Sequence, residues 1–304
     1  TFLILQKECA TLAVRYAIQQ NKENSGFAKG YNQLLRNIES QYTAIINQDM
    51  VLAPDCLARL VAALDAHPDI GVAAPRLMQW RFPLGLTNVI DAIGLEVWRN
   101  RRVTEWLSGK EWNEGVQKLL ASLDHRAPII EVFGVSGTFA VFRREILKRG
   151  SLQSGAMFDD EYGSYKEDVD LAYRLRARGY KTAVVIDAVA YHNRRIGAAE
   201  KHGLWSAVTH KLKQSKAVRY QSYRNHLLTL YKNEYWQNLL LDLPWILWYE
   251  SKKFFWFVLF DPRGLWCAVR DAVLSCRVMH AARVENSARR SVGWRQLRPW
   301  WRQS

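Results

Sequence analysis

The chain has 304 residues, of which 49% are hydrophobic and 24% charged, and its formal net charge is +14. This composition supports a sizeable core, in one large domain or a domain with an appendage, and excludes a disordered chain, a collagen-like repeat and a disulfide-stapled mini-protein. The cysteines (Cys9, Cys56, Cys267 and Cys276) show neither a CxxC pair nor zinc-ligand spacing, which indicates a reducing, cytoplasmic-type compartment. The longest purely apolar run, Phe254–Phe260, has seven residues. A membrane span needs about 18 or more.

The positive charge is concentrated in the last third of the chain. Residues 1–180 carry 22 basic and 21 acidic side chains, whereas residues 181–304 carry 21 basic and 8 acidic ones. Eight of the 13 tryptophans also lie between Trp236 and Trp301. A basic, aromatic segment suits nucleic acid, an anionic membrane or a phosphorylated substrate, and composition alone does not choose among them.

Strand-like and helical patterns alternate over the first 190 residues. Tyr42–Ile46 is an apolar run that ends in Asn47-Gln48-Asp49, as expected for a buried strand with polar residues at its carboxyl end. A helix with Leu57, Leu60, Val61 and Leu64 at helical spacing follows and ends at His67-Pro68. Ile70–Ala74 is the next predicted strand, and it ends before a proline.

The same alternation continues farther along the chain. Glu131–Phe142 is strand-like, Glu167 begins a helix that ends at Gly179, and Thr182–Ile186 is again strand-like. This order predicts an α/β fold with a mainly parallel sheet covered by helices. Residues 79–126, which lie between Ile70–Ala74 and Glu131–Phe142, are polar and irregular. This fits either a lid over a site or a surface excursion with a small core of its own. From Tyr220 on, the pattern is helical.

Three groups of residues suggest chemistry at the ends of these strands. Asp49 follows a strand, where a carboxylate can hold a divalent cation or simply cap a turn. Six carboxylates lie within twelve residues from Asp159 to Asp170, and Asp168, at a helix start, suits either a general base or a helix cap. His192 follows a strand and suits a metal ligand, although such a histidine is more often structural.

A fourth segment, Asn24–Asn32, is a turn of small and polar residues that leads into a helix. Its backbone amides suit phosphate or sugar hydroxyls, or it is an ordinary connection.

The order of these motifs is more specific than any one of them. Asn-x-Gly-Phe-Ala-x-Gly-x-Asn, a strand ending in Asn-x-Asp, Gly-x-Ser-Gly, Glu-Asp-Val-Asp-Leu-x-x-Arg and a strand ending in histidine follow one another. The series resembles the bacterial family-2 glycosyltransferases, in particular the rhamnosyltransferase-like branch that builds cell-surface polysaccharides. The resemblance runs from Asn24 to His192 and continues weakly through Tyr223-Arg224-Asn225.

The resemblance implies a GT-A fold, the nucleotide-diphospho-sugar transferase architecture with helices on both faces of the sheet, and inverting sugar transfer to a saccharide or lipid-linked saccharide. It implies that Asp168 is the general base and that Asp49 and His192 hold a divalent cation, Mg²⁺ or Mn²⁺. The positions it assigns to donor or acceptor binding are Asn24, Gly26, Gly30, Asn32, Asn47, Gly134, Ser136, Gly137, Glu167 and Asp170.

Family members usually begin with a strand-helix-strand stretch that holds the nucleobase, and Thr1–Ala17 shows no such pattern, so we expect an N-terminally truncated nucleotide-binding part. We expect a catalytic domain over residues 1–215 and a helical, basic, Trp-rich region over residues 216–304. The latter is expected to lie on the cytoplasmic face of the inner membrane, near a polyprenyl-diphosphate-linked acceptor. The alternatives are a nucleic-acid-binding basic protein, although no nucleic-acid motif is present, or a catalytically inactive fragment.

Overall fold

The computed structural model describes residues 7–9, 11, 14–36, 38–123, 128–193, 209 and 211–303. Most of Thr1–Ala17, on which the expected truncation depends, lies outside these residues. The strands are β1 (Tyr42–Ile46), β2 (Met50–Leu52), β3 (Ile70–Arg81), β4 (Gly85–Ala92), β5 (Leu95–Trp98), β6 (Val103–Glu105), β7 (Ile129–Val132), β8 (Phe139–Arg143), β9 (Lys181–His192) and β10 (Trp301–Arg302).

The helices fall into two groups, one interleaved with the strands and one that follows β9. The first group is α1 (Gly26–Leu35), α2 (Cys56–Ala66), α3 (Glu114–Leu123), α4 (Arg144–Arg149) and α5 (Glu167–Ala177). The second group is α6 (Lys216–Asn233), α7 (Trp236–Leu241), α8 (Leu243–Phe260), α9 (Pro262–Leu274), α10 (Cys276–Ala288) and α11 (Trp294–Leu297).

The main sheet has seven strands and is mixed. Its order is β1-β8-β3-β9-β2, with β4 paired to β3 and β7 paired to β9. Among the described pairings of this sheet, β3 and β9 run parallel and the others run antiparallel. The α/β class is confirmed, but the expectation of a mainly parallel sheet is wrong. The short connection over residues 82–84 reverses the chain between the antiparallel neighbours β3 and β4, whereas parallel neighbours need long crossovers.

Helices cover both faces of this sheet. Alternate residues of β3, β8 and β9 point to opposite sides, as the two-residue period of a strand requires. Helix α2 packs on one side, against Ala73 and Val141 among others. Helices α1, α4 and α5 pack on the other, against Val72 and Phe142. The site described below lies at one edge of this two-sided core.

Two strand predictions need correction. The strand that begins at Ile70 continues through Pro75 to Arg81, because β3 lies between β8 and β9 and its later residues pair with the second half of β9. The segment Glu131–Phe142 is two strands, β7 and β8, which pair with different partners. The intervening residues 133–138 connect the two strands and carry the Gly-x-Ser-Gly motif.

The region over residues 79–126 is neither irregular nor separate. It contains β4, β5, β6 and α3, and its last three residues lie outside the described part of the chain. Ile90, Ile93, Val116 and Leu120 are buried in the same cluster as the central strands. Its apolar side chains therefore extend the main core rather than build a small core of their own.

The helical C-terminal region is confirmed, and its tryptophans lie both in the core and on the surface. Trp301 is buried against Phe133 and Tyr173, with ring centroids 5.7 and 5.9 Å away, and β10 pairs with β5. By contrast, Trp248 and Trp266 on α8 and α9 are 66% and 69% exposed. Within the described residues, no helix is both long and apolar enough to cross a membrane.

Candidate functional site

The turn after β1 is fixed by its neighbours. The backbone N–H of Asn47 donates to the carbonyl of Thr138 at 2.9 Å. The Tyr31 hydroxyl donates to the Ile46 carbonyl at 2.8 Å and lies 3.2 Å from Oδ1 of Asn47. Burial, with a contribution from the charge of Asp49, raises the pKa of Tyr31 to about 12, so this hydroxyl keeps its proton. The turn therefore presents the carboxylate of Asp49 at a defined place.

The Asp49 carboxylate faces His192. Met50 is opposite His192 in the β2–β9 register, and Oδ2 of Asp49 lies 3.5 Å from Nε2 of the imidazole. Oδ2 of the buried Asp91 lies 2.9 Å from the other ring nitrogen, Nδ1. When Nδ1–H donates to Asp91, the lone pair of Nε2 points outward, which is the usual arrangement of a metal-binding histidine. The sequence offered no signal for Asp91.

A carboxylate and an imidazole suit a cation that completes its coordination with water and substrate oxygens, as Mg²⁺ and Mn²⁺ do. The side chain of Asp49 is 41% exposed and so remains open to a ligand. The described residues contain no group of three or more metal-ligating side chains. The predicted pair Asp49 and His192 is thus brought together, and its carboxylate and imidazole fit a divalent cation.

Asp168 lies in the first turn of α5 and its carboxylate is held by two backbone amides. Oδ2 accepts from the N–H of Gly137 at 3.1 Å, and Oδ1 accepts from the N–H of Val169 at 2.8 Å. A Cβ on Gly137 would lie 3.0 Å from the ring of Phe27, so glycine permits this close approach. The structure therefore brings together two predicted site residues that are 31 positions apart in sequence.

Glu167 has very different surroundings from Asp168. Its side chain is buried, and Oε2 has no hydrogen-bond partner among the described residues. Burial, followed by the charge of Asp168, raises the pKa of Glu167 to about 8. At neutral pH this carboxyl group is protonated and is a hydrogen-bond donor, not a base.

Two residues of the Gly-x-Ser-Gly motif have roles in packing. A Cβ on Gly134 would lie 2.3 Å from the Cβ of Ala172 on α5. The absent side chain of Gly134 lets α5 approach, and its contact with a sugar stays a prediction. Ser136 is buried, and its hydroxyl lies 2.9 Å from that of Thr138.

The Asn24–Asn32 segment meets the loop that precedes α5. The N–H of Ala28 donates to the Gly163 carbonyl at 2.9 Å, and a Cβ on Gly26 would lie 2.8 Å from that same oxygen. Gly26 also has a φ of +77°, which favours glycine. Oδ1 of Asn24 accepts from the N–H of Gly26 at 3.0 Å, while Gly30 is half-exposed and stays a predicted ligand contact.

Asn32 is not available to a donor or acceptor. Its Oδ1 accepts from the N–H groups of Met157 and Phe158, each at 3.0 Å. Its Nδ2 donates to the Phe158 carbonyl and to Asp160, each at 2.8 Å. All of this bonding is internal, so the predicted ligand contact is corrected to a structural one.

Asp170 is also structural. It is fully buried and receives hydrogen bonds from Arg174 at 2.9 Å, Lys232 at 3.0 Å and Asn233 at 2.8 Å. Although burial opposes ionisation, Lys232 and Arg174 hold the pKa of Asp170 at about 2. Its predicted contact with a sugar is wrong, because the carboxylate is saturated by groups of the protein.

A residue from the C-terminal region holds the loop before α5. Nδ2 of Asn225 lies 2.8, 2.9 and 2.7 Å from the carbonyl oxygens of Tyr162, Ser164 and Tyr165. The next residue, Lys166, has a φ of +67°, a left-handed conformation that is uncommon without glycine. Asn225 was singled out in the sequence only by resemblance, and the structure gives it a positioning role.

The turn after β1, which bears Asp49, is linked to Asp168 through the residues before β8: Asn47 bonds to Thr138, and the neighbouring Gly137 bonds to Asp168. The family model described as "Glycosyltransferase like family 2" matches residues 4–217, well over half of the chain. The chain belongs to this family. The motifs from Asn24 to His192 all lie within the part of this family-2 chain that the model matches.

No curated protein sequence matches the family-2 chain. A crystal structure of GalNAc-T7 with UDP, GalNAc and Mn²⁺ is 11% identical, with a TM-score of 0.48 over 70% of this chain and 35% of the other. A mannosyltransferase from Pyrobaculum calidifontis in complex with GDP-Man and Mn²⁺ is 19% identical, with a TM-score of 0.37 over 88% of this chain and 60% of the other.

Proposed function

We propose that the protein transfers a sugar, with inversion, from a nucleotide-diphosphate donor to a hydroxyl group of a saccharide or lipid-linked saccharide. The observation that carries the proposal is the carboxylate of Asp168, which is oriented by the amides of Gly137 and Val169. The turn that bears Asp49 is hydrogen-bonded to Thr138, the residue after Gly137. Membership of the family supports the same class of reaction.

In the proposed reaction Asp168 accepts the proton of the attacking hydroxyl. The hydroxyl oxygen bonds to the anomeric carbon as the bond from that carbon to the diphosphate oxygen breaks, and the electron pair leaves with the diphosphate. One base on the acceptor side suffices for inversion, and no covalent intermediate forms. Because burial keeps Glu167 protonated at neutral pH, Asp168 does not compete with it for the acceptor proton.

We assign Asp49 and His192 to a divalent cation, Mg²⁺ or Mn²⁺. When bound, such a cation neutralises the charge that develops on a leaving diphosphate. The residues fit because one carboxylate and one correctly oriented imidazole face each other and the carboxylate is open to solvent.

The donor sugar is proposed to be rhamnose, and the pathway cell-surface polysaccharide synthesis. This rests on the order of the motifs from Asn24 to His192, which resembles the rhamnosyltransferase-like branch. A direct test is the release of nucleoside diphosphate from a panel of UDP-, GDP- and dTDP-sugars that includes dTDP-rhamnose, with Mn²⁺ and with excess chelator. Metal-dependent release from dTDP-rhamnose supports the proposal. Release from another donor alone supports sugar transfer but contradicts rhamnose, and no release from any donor, with or without candidate acceptors, contradicts both.

We further propose that α8 and α9 lie peripherally on an anionic membrane surface, the cytoplasmic face of the inner membrane. Helix α8 turns Ile246, Glu250, Lys253 and Phe257 toward the protein, whereas large apolar side chains on its other faces are exposed. The exposed apolar residues of α8 and α9 are Trp245, Leu247, Trp248, Phe254, Phe255, Val258, Leu259, Phe260, Trp266, Val269, Val273 and Leu274.

The positive charge around this apolar face favours an anionic membrane as its partner. Lys252, Arg263 and Arg270 are exposed among the apolar residues, and the chain from residue 181 onward carries 21 basic against 8 acidic side chains. Aromatic and aliphatic side chains mixed with cations suit the headgroup region of an anionic bilayer. A lipid-linked acceptor would be presented at such a surface.

A further inference from the structure

A cavity of about 380 Å³ lies between the turn that follows β5 and the last residues of the chain. The residues that line it are Arg99, Arg295, Arg298, Pro299, Trp301 and Gln303. Among these described lining residues, three are arginines and none is acidic. The volume is typical of a site for a small molecule, and guanidinium groups are well suited to carboxylates and phosphates. The cavity therefore suits an anionic ligand.

Two of the lining arginines are held in place by one buried carboxylate. Nε of Arg99 lies 2.6 Å from Oδ1 of Asp242, and Nη2 of Arg298 lies 3.2 Å from the same oxygen. Asp242 itself is fully buried. The guanidinium of Arg99 also stacks on Trp245, 3.4 Å from the ring centroid. Because both side chains are already ordered, little conformational entropy is lost when they bind a ligand.

The arginines around Asp242 outnumber the carboxylates. Asp242 also pairs with the buried Arg101 at 3.0 Å, and Arg101 pairs in turn with Glu234 at 2.7 Å. In the part of the chain that the structure describes, Arg295 has no carboxylate within ion-pair distance. Four guanidinium groups (those of Arg101 and the three lining arginines) thus meet two carboxylates, which leaves a net charge of +2 among these six side chains.

The wall of the cavity also includes a buried donor without a partner. Trp301 is 8% exposed, and its indole Nε1 makes no hydrogen bond with a described residue. The ring is fixed by its packing on Phe133 and Tyr173. An indole nitrogen can only donate, and leaving a buried donor unpaired costs free energy. A ligand oxygen in the cavity that Trp301 lines would remove this cost.

We propose that this cavity binds the phosphate group of an anionic lipid headgroup. Guanidinium and indole groups only donate, and a phosphate accepts several charge-assisted hydrogen bonds, including paired ones from a single arginine. A lipid is favoured as the source because Trp245, which stacks on Arg99, belongs to the exposed apolar residues of α8. The inference rests on the proposed membrane association of α8 and α9 and names the headgroup chemistry that this surface recognises.

The test is calorimetric titration of dihexanoyl phosphatidic acid, a soluble short-chain lipid, into the full chain below the critical micelle concentration. Excess chelator prevents a divalent cation from linking the phosphate to Asp49 and His192. Arg295→Gln and Arg298→Gln each remove one guanidinium of the cavity. Arg302→Gln is the matched control, because it removes the same charge from the same segment and Arg302 does not line the cavity.

We expect saturable binding of the lipid that each cavity variant weakens about tenfold or more, the usual effect of losing one charge-assisted hydrogen bond. Arg302→Gln should leave the affinity unchanged. Equal affinities in all three variants, or no saturable binding to the wild type, overturn the proposal. Arg295→Gln keeps the test valid if Arg298→Gln fails to fold, because Arg295 is exposed and forms no ion pair with described residues.

Inorganic phosphate distinguishes a lipid headgroup from a soluble phosphate. We expect it to depend on the same arginines but to bind about tenfold or more weakly than the lipid, because it has no acyl chains to contact α8. Trp248→Ser/Leu259→Ser, which removes exposed apolar groups of α8, should weaken binding of the lipid and not that of phosphate. Equal affinities for the two probes contradict the lipid as the source.

Co-sedimentation with anionic liposomes separates failure of this inference from failure of the membrane proposal. Liposome binding by the wild type that neither Arg295→Gln nor Arg298→Gln weakens would overturn the assignment of the cavity and leave membrane association standing. Arginine-dependent binding of phosphate without any binding to liposomes would instead reject membrane association and, with it, the lipid as the source of the phosphate.

Discussion

At the start of α5, two adjacent carboxyl groups have opposite surroundings. Glu167 is buried with an unsatisfied oxygen, whereas Asp168 is half-buried with both oxygens accepting backbone hydrogen bonds. The sequence shows only an acidic pair. The difference arises because Gly137, from the connection before β8, contacts one member of the pair and not the other, and no local pattern predicts that contact.

The raised pKa of Glu167 predicts a pH-dependent stability. Between its ordinary pKa and about 8, the carboxyl is protonated in the folded state and ionised in the unfolded state, so stability falls as pH rises across this window. Between pH 6 and pH 8, we expect the free energy of unfolding, measured in urea, to fall by about 1–2 kcal/mol less in Glu167→Gln than in the wild type. Equal losses in the two proteins would contradict the buried, protonated state of Glu167.

Asp91 is expected to act on metal affinity through His192. Replacing it by asparagine removes the negative charge that faces Nδ1–H and weakens the hold on this tautomer, which typically costs about 10–100-fold in metal affinity. We predict that Asp91→Asn raises the Mn²⁺ concentration needed for half-maximal turnover by this factor while maximal turnover is largely kept. Asp49→Ala is the stronger comparison and should lower turnover itself. An unchanged Mn²⁺ dependence in Asp91→Asn would refute this role.

Among the elements, α6 connects the C-terminal region to the site. Nζ of its fully buried Lys232 lies 2.5 Å from Oδ2 of Asp159 and 2.9 Å from Oδ1 of Asp170. Asn225 on the same helix holds the loop before α5. The sequence predicts α6 as a helix and suggests a boundary at residues 215 and 216. It does not predict these buried contacts, because they join segments about 60 to 70 residues apart.

Loss of Lys232 should destabilise the whole chain. Lys232→Met leaves Asp159 and Asp170 buried without their shared cation, and breaking a buried pair typically costs about 3–5 kcal/mol. Lys216→Met, at an exposed position of the same helix, is the control and should change the unfolding free energy little. Urea unfolding measures both. A loss of less than about 1 kcal/mol in Lys232→Met would show that the network is not important for stability.

The helices and strands differ in how far the sequence alone predicts them. Helices α2 and α5 were predicted correctly, because their apolar periodicity and stop signals are local. The extension of β3 beyond Pro75 and the division of Glu131–Phe142 depend on partner strands distant in sequence. The polar composition of residues 79–126 likewise led to a prediction of irregular structure, although the segment contains β4, β5 and β6.

In the whole molecule, the uneven charge indicates that the last third of the chain forms a basic surface. It does not indicate which aromatic residues lie on that surface. Trp301 is buried against Phe133 and Tyr173, whereas Trp248 on α8 is 66% exposed. Composition treats the two alike. Their separation depends on the pairing of β10 with β5, which brings the end of the chain back to the core.

The exposed face of α8 gives a test of membrane association. Trp248 and Leu259 are 66% and 74% exposed on one side of the helix, and burying such side chains in a headgroup region stabilises binding by about 1.5–3 kcal/mol each at most. We predict that Trp248→Ser/Leu259→Ser lowers co-sedimentation with anionic liposomes about tenfold or more. Leu119→Ser/Leu123→Ser, at exposed positions on α3, should leave it unchanged. Equal binding by both double variants would place the contact elsewhere.

The central claim is that Asp168 removes the proton of the acceptor. The most direct measurement is the turnover number of Asp168→Asn beside that of the wild type and of Asp187→Asn, an exposed aspartate on β9. Donor and acceptor are held at saturation, and circular dichroism confirms the fold. We predict a loss of about 10²–10⁴-fold in Asp168→Asn alone, because an amide cannot accept the proton. Turnover of Asp168→Asn equal to that of the wild type would contradict the assignment of the base.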